Sequence, residues 1–207
     1  MTMSVDFMTQ VDDLGVNKMQ DNQRIRITKK LLQDSLISLL QQERLHKLSI
    51  KQICDRAQIN RSTFYKYYGS QYDLLEEMEN DILNRINSYL EPGTDRSASY
   101  DPQRLTKAIE FINENIDLCR LLLNNNVDPK FPEKLVMSLQ SITHLTENQF
   151  SDELTNAERA YTFDFAIGGG FSFIKTWINK ENREPPEEVA KLLSRIVFNL
   201  MQPHGGD

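Results

Sequence analysis

From Arg24 onward the apolar positions recur at three- and four-residue intervals: Ile27, Leu31, Leu32, Leu36, Leu39 and Leu40, with Ser35 in the same stripe. That spacing puts one apolar stripe along a helix. Gln33, Asp34, Ser38 and Gln41 fall on its other face, and a first helix is predicted over about 24–42. Residues 1–22 are polar and aperiodic and read as a flexible N-terminal tail. After a polar break, Ser49 is placed to cap a second helix. Its apolar positions, Ile50, Ile53, Cys54 and Ala57, follow at i, i+3, i+4 and i+7. Gln58-Ile59-Asn60 interrupts the pattern, and Asn60 can cap a short third helix over Arg61–Tyr68. Gly69-Ser70 ends it. Ser70 with Asp73 resembles a capping box carrying Asp for Glu, which opens a fourth helix running to Leu90.

Pro92-Gly93 closes the fourth helix, and the segment 91–100 is linker-like in composition. Asp101-Pro102 then supplies a cap and a first-turn proline. Leu105, Ala108, Ile109, Ile112, Ile116, Leu118 and Leu122 carry one helix to about Asn124, and Pro132 opens another to about Phe150. Asn156 is the expected cap of a long helix reaching Asn179 that is apolar on most sides, including Tyr161, Phe165, Ala166, Phe171 and Trp177. A helix apolar all round is buried on more than one side. The last helix runs from Pro186 to about Met201, with a stripe of Val189, Leu192, Leu193, Ile196, Val197 and Leu200. No segment alternates as a strand does, and there is no internal repeat.

Composition agrees with an all-α chain. Only 8 Gly and 7 Pro occur in 207 residues, and both residues disfavour helix interiors. Hydrophobic residues make up 39%, enough for a core and too many for a wholly disordered chain. No run reaches the ~20 apolar residues that a membrane helix needs. The N-terminus lacks a basic start followed by an apolar stretch, so a cytoplasmic protein is expected. Cys54 and Cys119 both lie in apolar helical patterns, where a thiol packs as a small hydrophobe. About eight helices in this order predict four segments: a 1–22 tail, a helix-turn-helix domain over 23–70, a helical bundle over 71–203, and a 204–207 tail.

The formal net charge of −6 conceals a division. Residues 18–68 hold 11 Lys and Arg against 4 acids, a net of +7, while residues 1–17 carry −3 and residues 69–207 carry −10. A basic segment in an acidic chain points to a polyanion partner, or to chance clustering on a solvated face.

The basic segment contains the helix, three-residue turn and helix of a helix-turn-helix unit. Ile50, Ile53, Cys54, Ala57, Ile59, Phe64 and Tyr68 would form its core. Arg61, Ser62, Thr63, Tyr65, Lys66 and Tyr67 are then left largely exposed. Such a mixture suits DNA better than a plain helical hairpin. Arg can donate two hydrogen bonds to guanine, and Ser and Thr can touch a base edge or thymine methyl. Tyr hydroxyls and Lys ammonium groups reach phosphates.

The run Leu48–Tyr68, with its Arg61-Ser62-Thr63-Phe64-Tyr65-Lys66-Tyr67-Tyr68 end, followed by Asp73-Leu74-Leu75, resembles the DNA-binding domain of the TetR/AcrR family of transcriptional regulators. The similarity covers about Arg24–Leu75. It implies a homodimer on a palindromic double-stranded operator, usually as a repressor, joined through the last two helices. The C-terminal bundle often holds a small-molecule effector in this family. Base reading is then expected from Lys51, Arg61, Ser62 and Thr63, and phosphate contact from Thr28, Ser49, Tyr65, Lys66 and Tyr67. Two positions depart from the family pattern. Gln58 stands where relatives carry Gly, which tolerates more backbone conformations. Gln71 stands where relatives carry a phosphate-contacting Lys. The fold also serves relatives that act as protein–protein adaptors or co-activators without binding DNA, and the loss of that Lys leans toward such a role. More loosely, Gly168-Gly169-Gly170, Trp177 and Glu187-Glu188 resemble a subgroup related to regulators of dihydroxyacetone kinase.

Three glycines inside a helix cost roughly 2–3 kcal/mol against alanine. Close helix–helix approach at a dimer face, a kink near a ligand cavity, or a plain interruption could each account for them. His144, Trp177, Phe165, Phe111 and Tyr161 could line a cavity, although aromatics at helical spacing are commonly core. His46, His144 and His204 do not share metal-ligand spacing with Cys or acids. Phosphate-loop, nucleophile-elbow and metalloprotease motifs are missing, so enzyme activity, a metal and a resident cofactor are not expected. Glu76-Glu77 and Glu187-Glu188 sit at helix starts, which favour acids electrostatically.

Overall fold

The computed structural model describes the backbone over residues 5–91, 102–124, 127–143 and 155–201, and side chains over 21–91, 103–124, 127–141 and 155–200. Regular structure among these residues is entirely helical: α1 (Val5–Leu40), a 3-10 turn (Leu45–Lys47), α2 (Ile50–Ala57), α3 (Arg61–Phe64), α4 (Gln71–Leu90), α5 (Pro102–Glu114), α6 (Ile116–Leu123), α7 (Phe131–Thr143), α8 (Asn156–Ile178) and α9 (Pro186–Met201). The chain forms two compact units that divide within α4, between Leu75 and Glu76.

In the N-terminal unit α1 packs on α2, and α3 packs on α2. Leu32, Leu36, Ile53, Cys54 and Phe64 are fully buried or nearly so. The apolar stripe of α1 is therefore real from Leu32 onward. Ile27 and Leu31, which the spacing placed in the same stripe, are exposed instead. The helix also begins at Val5 rather than near Arg24, because backbone hydrogen bonding extends it past the part that packing requires.

In the C-terminal unit α9 packs chiefly on α5, with Ile109, Val189 and Ala190 buried. The single helix expected over 102–124 is two. Asn115 takes φ −111° and ψ 31°, and its side-chain amide donates to the Phe111 carbonyl at 2.9 Å. A local side-chain bond of this kind competes with the helical ladder. The C-terminal end of α8 is locked to that of α6: Arg120 Nε donates to the Ile178 carbonyl at 2.6 Å, and the Asn124 and Asn179 side chains exchange two bonds. Helix α8 is capped by Thr155, one residue before the expected Asn156, in a capping box with Glu158.

The three glycines do not interrupt α8. An added Cβ at Gly168 or Gly169 would meet nothing within 4 Å, whereas one at Gly170 would touch Leu193 at 4.0 Å. Within one chain α8 is buried on one side only. Ala166, Trp177 and Ile178 are inside, while Tyr161 is 77% exposed and Phe165 67% exposed. Leu192, Ile196 and Phe198 of α9 are exposed as well. Together these leave an uncovered apolar face.

Candidate nucleic-acid interface

The unit that presents the candidate residues is built by local capping. Ser49 Oγ accepts from the Gln52 N–H at 3.3 Å, and Gln52 Oε1 accepts from the Ser49 N–H at 2.8 Å. This reciprocal box starts α2 at a defined residue. Its end is equally defined. The Ile59 N–H donates to the Cys54 carbonyl at 3.0 Å and the Gln58 N–H to the Asp55 carbonyl at 3.3 Å, the two bonds of a Schellman motif. Gln58 sits at φ 56° and ψ 38°, the left-handed region that favours glycine. Gln58→Gly is expected to relieve that strain and stabilise the N-terminal unit by about 0.5–1 kcal/mol. A thermal melt should rise by ~1–4 °C; an unchanged or lower midpoint would show that the turn holds no strain.

Asn60 then caps α3, its side-chain oxygen accepting from the Ser62 N–H and hydroxyl, each at 3.0 Å. The α-helical part ends at Phe64, earlier than the pattern predicted. The chain continues to Tyr68 in tighter turns, with Lys66 N–H donating to the Thr63 carbonyl at 3.3 Å and Tyr67 N–H to the Phe64 carbonyl at 2.9 Å. Phe64 is fully buried and Tyr68 nearly so. Phe64 therefore sets which way the rest of α3 faces. Arg61, Ser62, Tyr65 and Lys66 are exposed as expected, whereas Thr63 and Tyr67 are half-buried. Thr28 is half-buried on α1.

Arg61 and Lys66 have no carboxylate partner among the described residues, so both charges are available to a polyanion. Lys51 is exposed but paired with Asp55 at 3.2 Å, and it would have to exchange that carboxylate for a base. The Ser49 hydroxyl donates to Gln52 Oε1 at 2.7 Å, so a phosphate contact there competes with the cap. Lys29 is a residue the pattern did not single out. Its ammonium lies 5.9 Å from the centre of the Tyr67 ring and 5.5 Å from that of Tyr68, joining α1 to the end of α3 by cation–π attraction. Cys54 is buried behind α3, and burial pushes its thiol up.

At the start of α4, Asp73 accepts from the Ser70 hydroxyl and from the Gly69 N–H at 2.9 Å. Both bonds hold its carboxyl below the usual carboxylate range. The stabilisation is therefore complete above the unfolded value of ~4 and is lost as pH falls through the lower folded value. The melting difference between the native chain and Asp73→Asn should shrink on acidification from about pH 6 to about pH 3; a constant difference would remove the carboxylate from this cap. Gln71 is half-buried beside it.

The aromatics that could have lined a cavity are not gathered together among the described residues. Tyr161 and Phe165 face outward, and Trp177 is core, with Nε1 donating to the Glu184 carbonyl at 3.0 Å. Phe111 lies against Tyr89 with ring centres 6.0 Å apart, and His144 falls outside the described residues. Pattern reading missed Glu79, which is 2% exposed. Lys134 Nζ lies 2.8 Å from both Glu79 and Asp128. The signal was present: Glu79 stands four residues after Leu75 and three before Ile82, inside the apolar stripe of α4. Burial of Cys119 pushes its thiol up to about 12. Among the described residues, no group of three or more His, Cys, Asp or Glu could hold a metal ion, and no helix is long and apolar enough to cross a membrane.

Two models of bacterial regulators match this chain, one in each part. Residues 34–78 match the model for bacterial regulatory proteins of the tetR family, and residues 102–199 match a transcriptional regulator C-terminal region. The dhaKLM operon transcriptional activator DhaS of Lactococcus lactis is 33% identical over 91 residues, which are 43% of this chain and 45% of that protein. The transcriptional regulator YxbF of Bacillus subtilis is 18% identical over 173 residues, 80% of this chain and 43% of that protein. The chain thus spans less than half the length of either relative. In fold it is similar to the dihydroxyacetone kinase operon activator DhaS, with a TM-score of 0.61 at 17% identity over 84% of this chain and 96% of that one. A TetR regulator from Streptococcus agalactiae gives 0.59 at 22% identity, over 87% and 98%. With a capped helix-turn-helix in the matched N-terminal segment and a helical unit in the matched C-terminal one, the chain belongs to the tetR family of bacterial regulatory proteins.

Proposed function

We propose that this protein is a sequence-specific DNA-binding transcriptional regulator that acts in the cytoplasm as a homodimer on an inverted-repeat operator. The observation that carries the reading is the exposed set Arg61, Ser62, Tyr65 and Lys66 on α3 and the turn that follows it, whose orientation is fixed by buried Phe64. Arg61, Ser62 and Thr63, with Lys51, read base edges in the major groove. Tyr65, Lys66, Tyr67, Thr28 and Ser49 hold phosphates and set the register. The uncovered face of α8 and α9 supports pairing with a second copy, since a two-fold protein matches a two-fold site. Repression by occupying a promoter is the simplest consequence, with a small molecule held by the C-terminal unit as the signal. The second reading is activation, favoured by the similarity to DhaS, whose name describes an operon activator.

The test is selection from random duplex DNA at physiological salt. An enriched inverted repeat supports a dimeric reader of DNA. Enrichment of a single unrepeated site would overturn the dimer. No enrichment would overturn DNA reading and favour an adaptor role. A reporter driven from the recovered sequence then separates repression from activation by the sign of the change.

A further inference from the structure

A polar seam joins α4 to α7 inside the C-terminal unit. Lys134 and Ser138 stand one turn apart on α7, and each meets a polar side chain of α4. The Lys134 ammonium bridges Glu79 and Asp128, 2.8 Å from each. Ser138 Oγ accepts from Asn87 Nδ2 at 2.6 Å. Flanking positions on both helices are apolar and buried: Met78, Ile82 and Ile86 on α4, Phe131 and Leu135 on α7.

Two atoms of this seam, Glu79 Oε1 and Asn87 Oδ1, are buried and have no hydrogen-bond partner among the described residues. Glu79 is 2% exposed, and its other oxygen is taken by Lys134. Asp128, by contrast, is satisfied at both oxygens: Oδ1 accepts from the Lys130 N–H at 2.9 Å and Oδ2 from Lys134. Buried polar atoms are rarely left unpaired, since each keeps the full cost of its lost hydration. A carboxylate oxygen can only accept, so Glu79 lacks a donor. Charge points the same way. Two carboxylates face one ammonium, and burial pushes the Glu79 carboxyl above the usual carboxylate range in spite of Lys134. The Asn87 amide offers a second, neutral anchor ~12 Å farther along α4 at 1.5 Å per residue.

We propose that this seam is the binding site of a small alkyl amine, whose ammonium donates to Glu79 Oε1 and whose far end bonds to the Asn87 amide. The inference rests on the small-molecule signal proposed above and names its chemical class. With the amine in place, two cations balance two carboxylates, the condition under which buried charge is tolerated. Glu79 Oε1 is covered in the free chain, so entry requires the half-exposed Lys134 side chain to swing aside on its flexible stem.

The experiment is calorimetric titration of the full chain, without DNA, with hexamethylenediamine and with spermidine. Hexamethonium serves as the comparator with the same charges and spacing but no N–H, and hexanediol as the one with the spacing but no charge. The better of the two amines is expected to bind about 10-fold or more tightly than either comparator. Glu79→Gln should weaken it by about 10-fold or more, and Asn87→Ala by about 5-fold. Glu76→Gln, an exposed carboxylate on the same helix, should leave it unchanged. Equal binding of an amine and of either comparator would overturn the site. Failure of both amines to bind, or undiminished binding in both Glu79→Gln and Asn87→Ala, would overturn it as well. If Glu79→Gln does not fold, Asn87→Ala decides alone, since Asn87 is only half-buried. Titration and selection fail independently: a failed titration leaves the DNA reading standing, and a failed selection leaves the amine site standing.

Discussion

Phe165→Glu is expected to yield a folded monomer that no longer binds an inverted repeat with high affinity. Phe165 is 67% exposed in the single chain, so the change removes little internal packing. Tyr161, one turn earlier, is 77% exposed, and Gly168 and Gly169 continue the same face one turn later. Two copies joined through this face bury two Phe165 side chains, one from each copy. A central aromatic contributes about 2 kcal/mol or more to an interface, and an unpaired carboxylate buried in its place costs several kcal/mol further. The dimer dissociation constant should therefore rise by ~1000-fold or more, which sedimentation at several concentrations will read. A dimer that persists in Phe165→Glu would move the interface elsewhere.

Gly168→Ala with Gly169→Ala separates the interface from mere exposure. Each new methyl meets open space within one chain and removes a helix-propensity penalty of about 0.5–1 kcal/mol. If a partner helix approaches there, the double variant should form a weaker dimer while its monomer becomes more stable. A dimer of native affinity would show that the glycines serve no close approach.

Arg61→Ala is expected to cost about 1–3 kcal/mol of specific binding, or ~5- to 150-fold in affinity, and to relax preference at one position in each half-site. Its guanidinium is exposed at the first residue of α3, held there by the Asn60 cap and by Phe64 in the core. Random-sequence duplex should be affected much less, since bidentate pairing with guanine is lost only where guanine stands. Repeating the selection with the variant reads this directly. An unchanged sequence preference would assign Arg61 to the backbone rather than to a base.

The helix-turn-helix was legible because its determinants are local. Ser49, Asn60 and Ser70 each satisfy helix-start N–H groups within three residues of themselves. The departure at Gln58 pointed to a demanding turn, and the backbone there is left-handed. Residues 50–68 also carry their apolar face at regular spacing, so their core was readable before any partner helix was known.

Farther from such signals the pattern failed for identifiable reasons. Periodicity marks which face of a helix is apolar but not where along its length a neighbour covers it. Ile27 and Leu31 share the α1 stripe with Leu32 and Leu36, yet only the latter two are buried. Thr63 and Tyr67 were expected in solvent and are half-covered, with Lys29 reaching the Tyr67 ring from 38 residues away in sequence. An apolar stripe likewise tolerates one carboxylate when a distant lysine meets it, as Lys134 meets Glu79 across 55 residues.

Sequence alone determined the helical class, the caps and turn of the helix-turn-helix, the exposure of Arg61, Ser62, Tyr65 and Lys66, and the concentration of positive charge in 18–68. These follow from bonds closed over three or four residues and from composition, which need no knowledge of the fold. Tertiary structure decided which part of each stripe is covered, that Lys29 bridges α1 to the end of α3, that Glu79 is buried against Lys134, and that α8 and α9 leave Tyr161, Phe165, Leu192 and Ile196 uncovered. Those outcomes depend on the meeting of segments far apart in the chain, and burial is a property of such meetings rather than of any one helix.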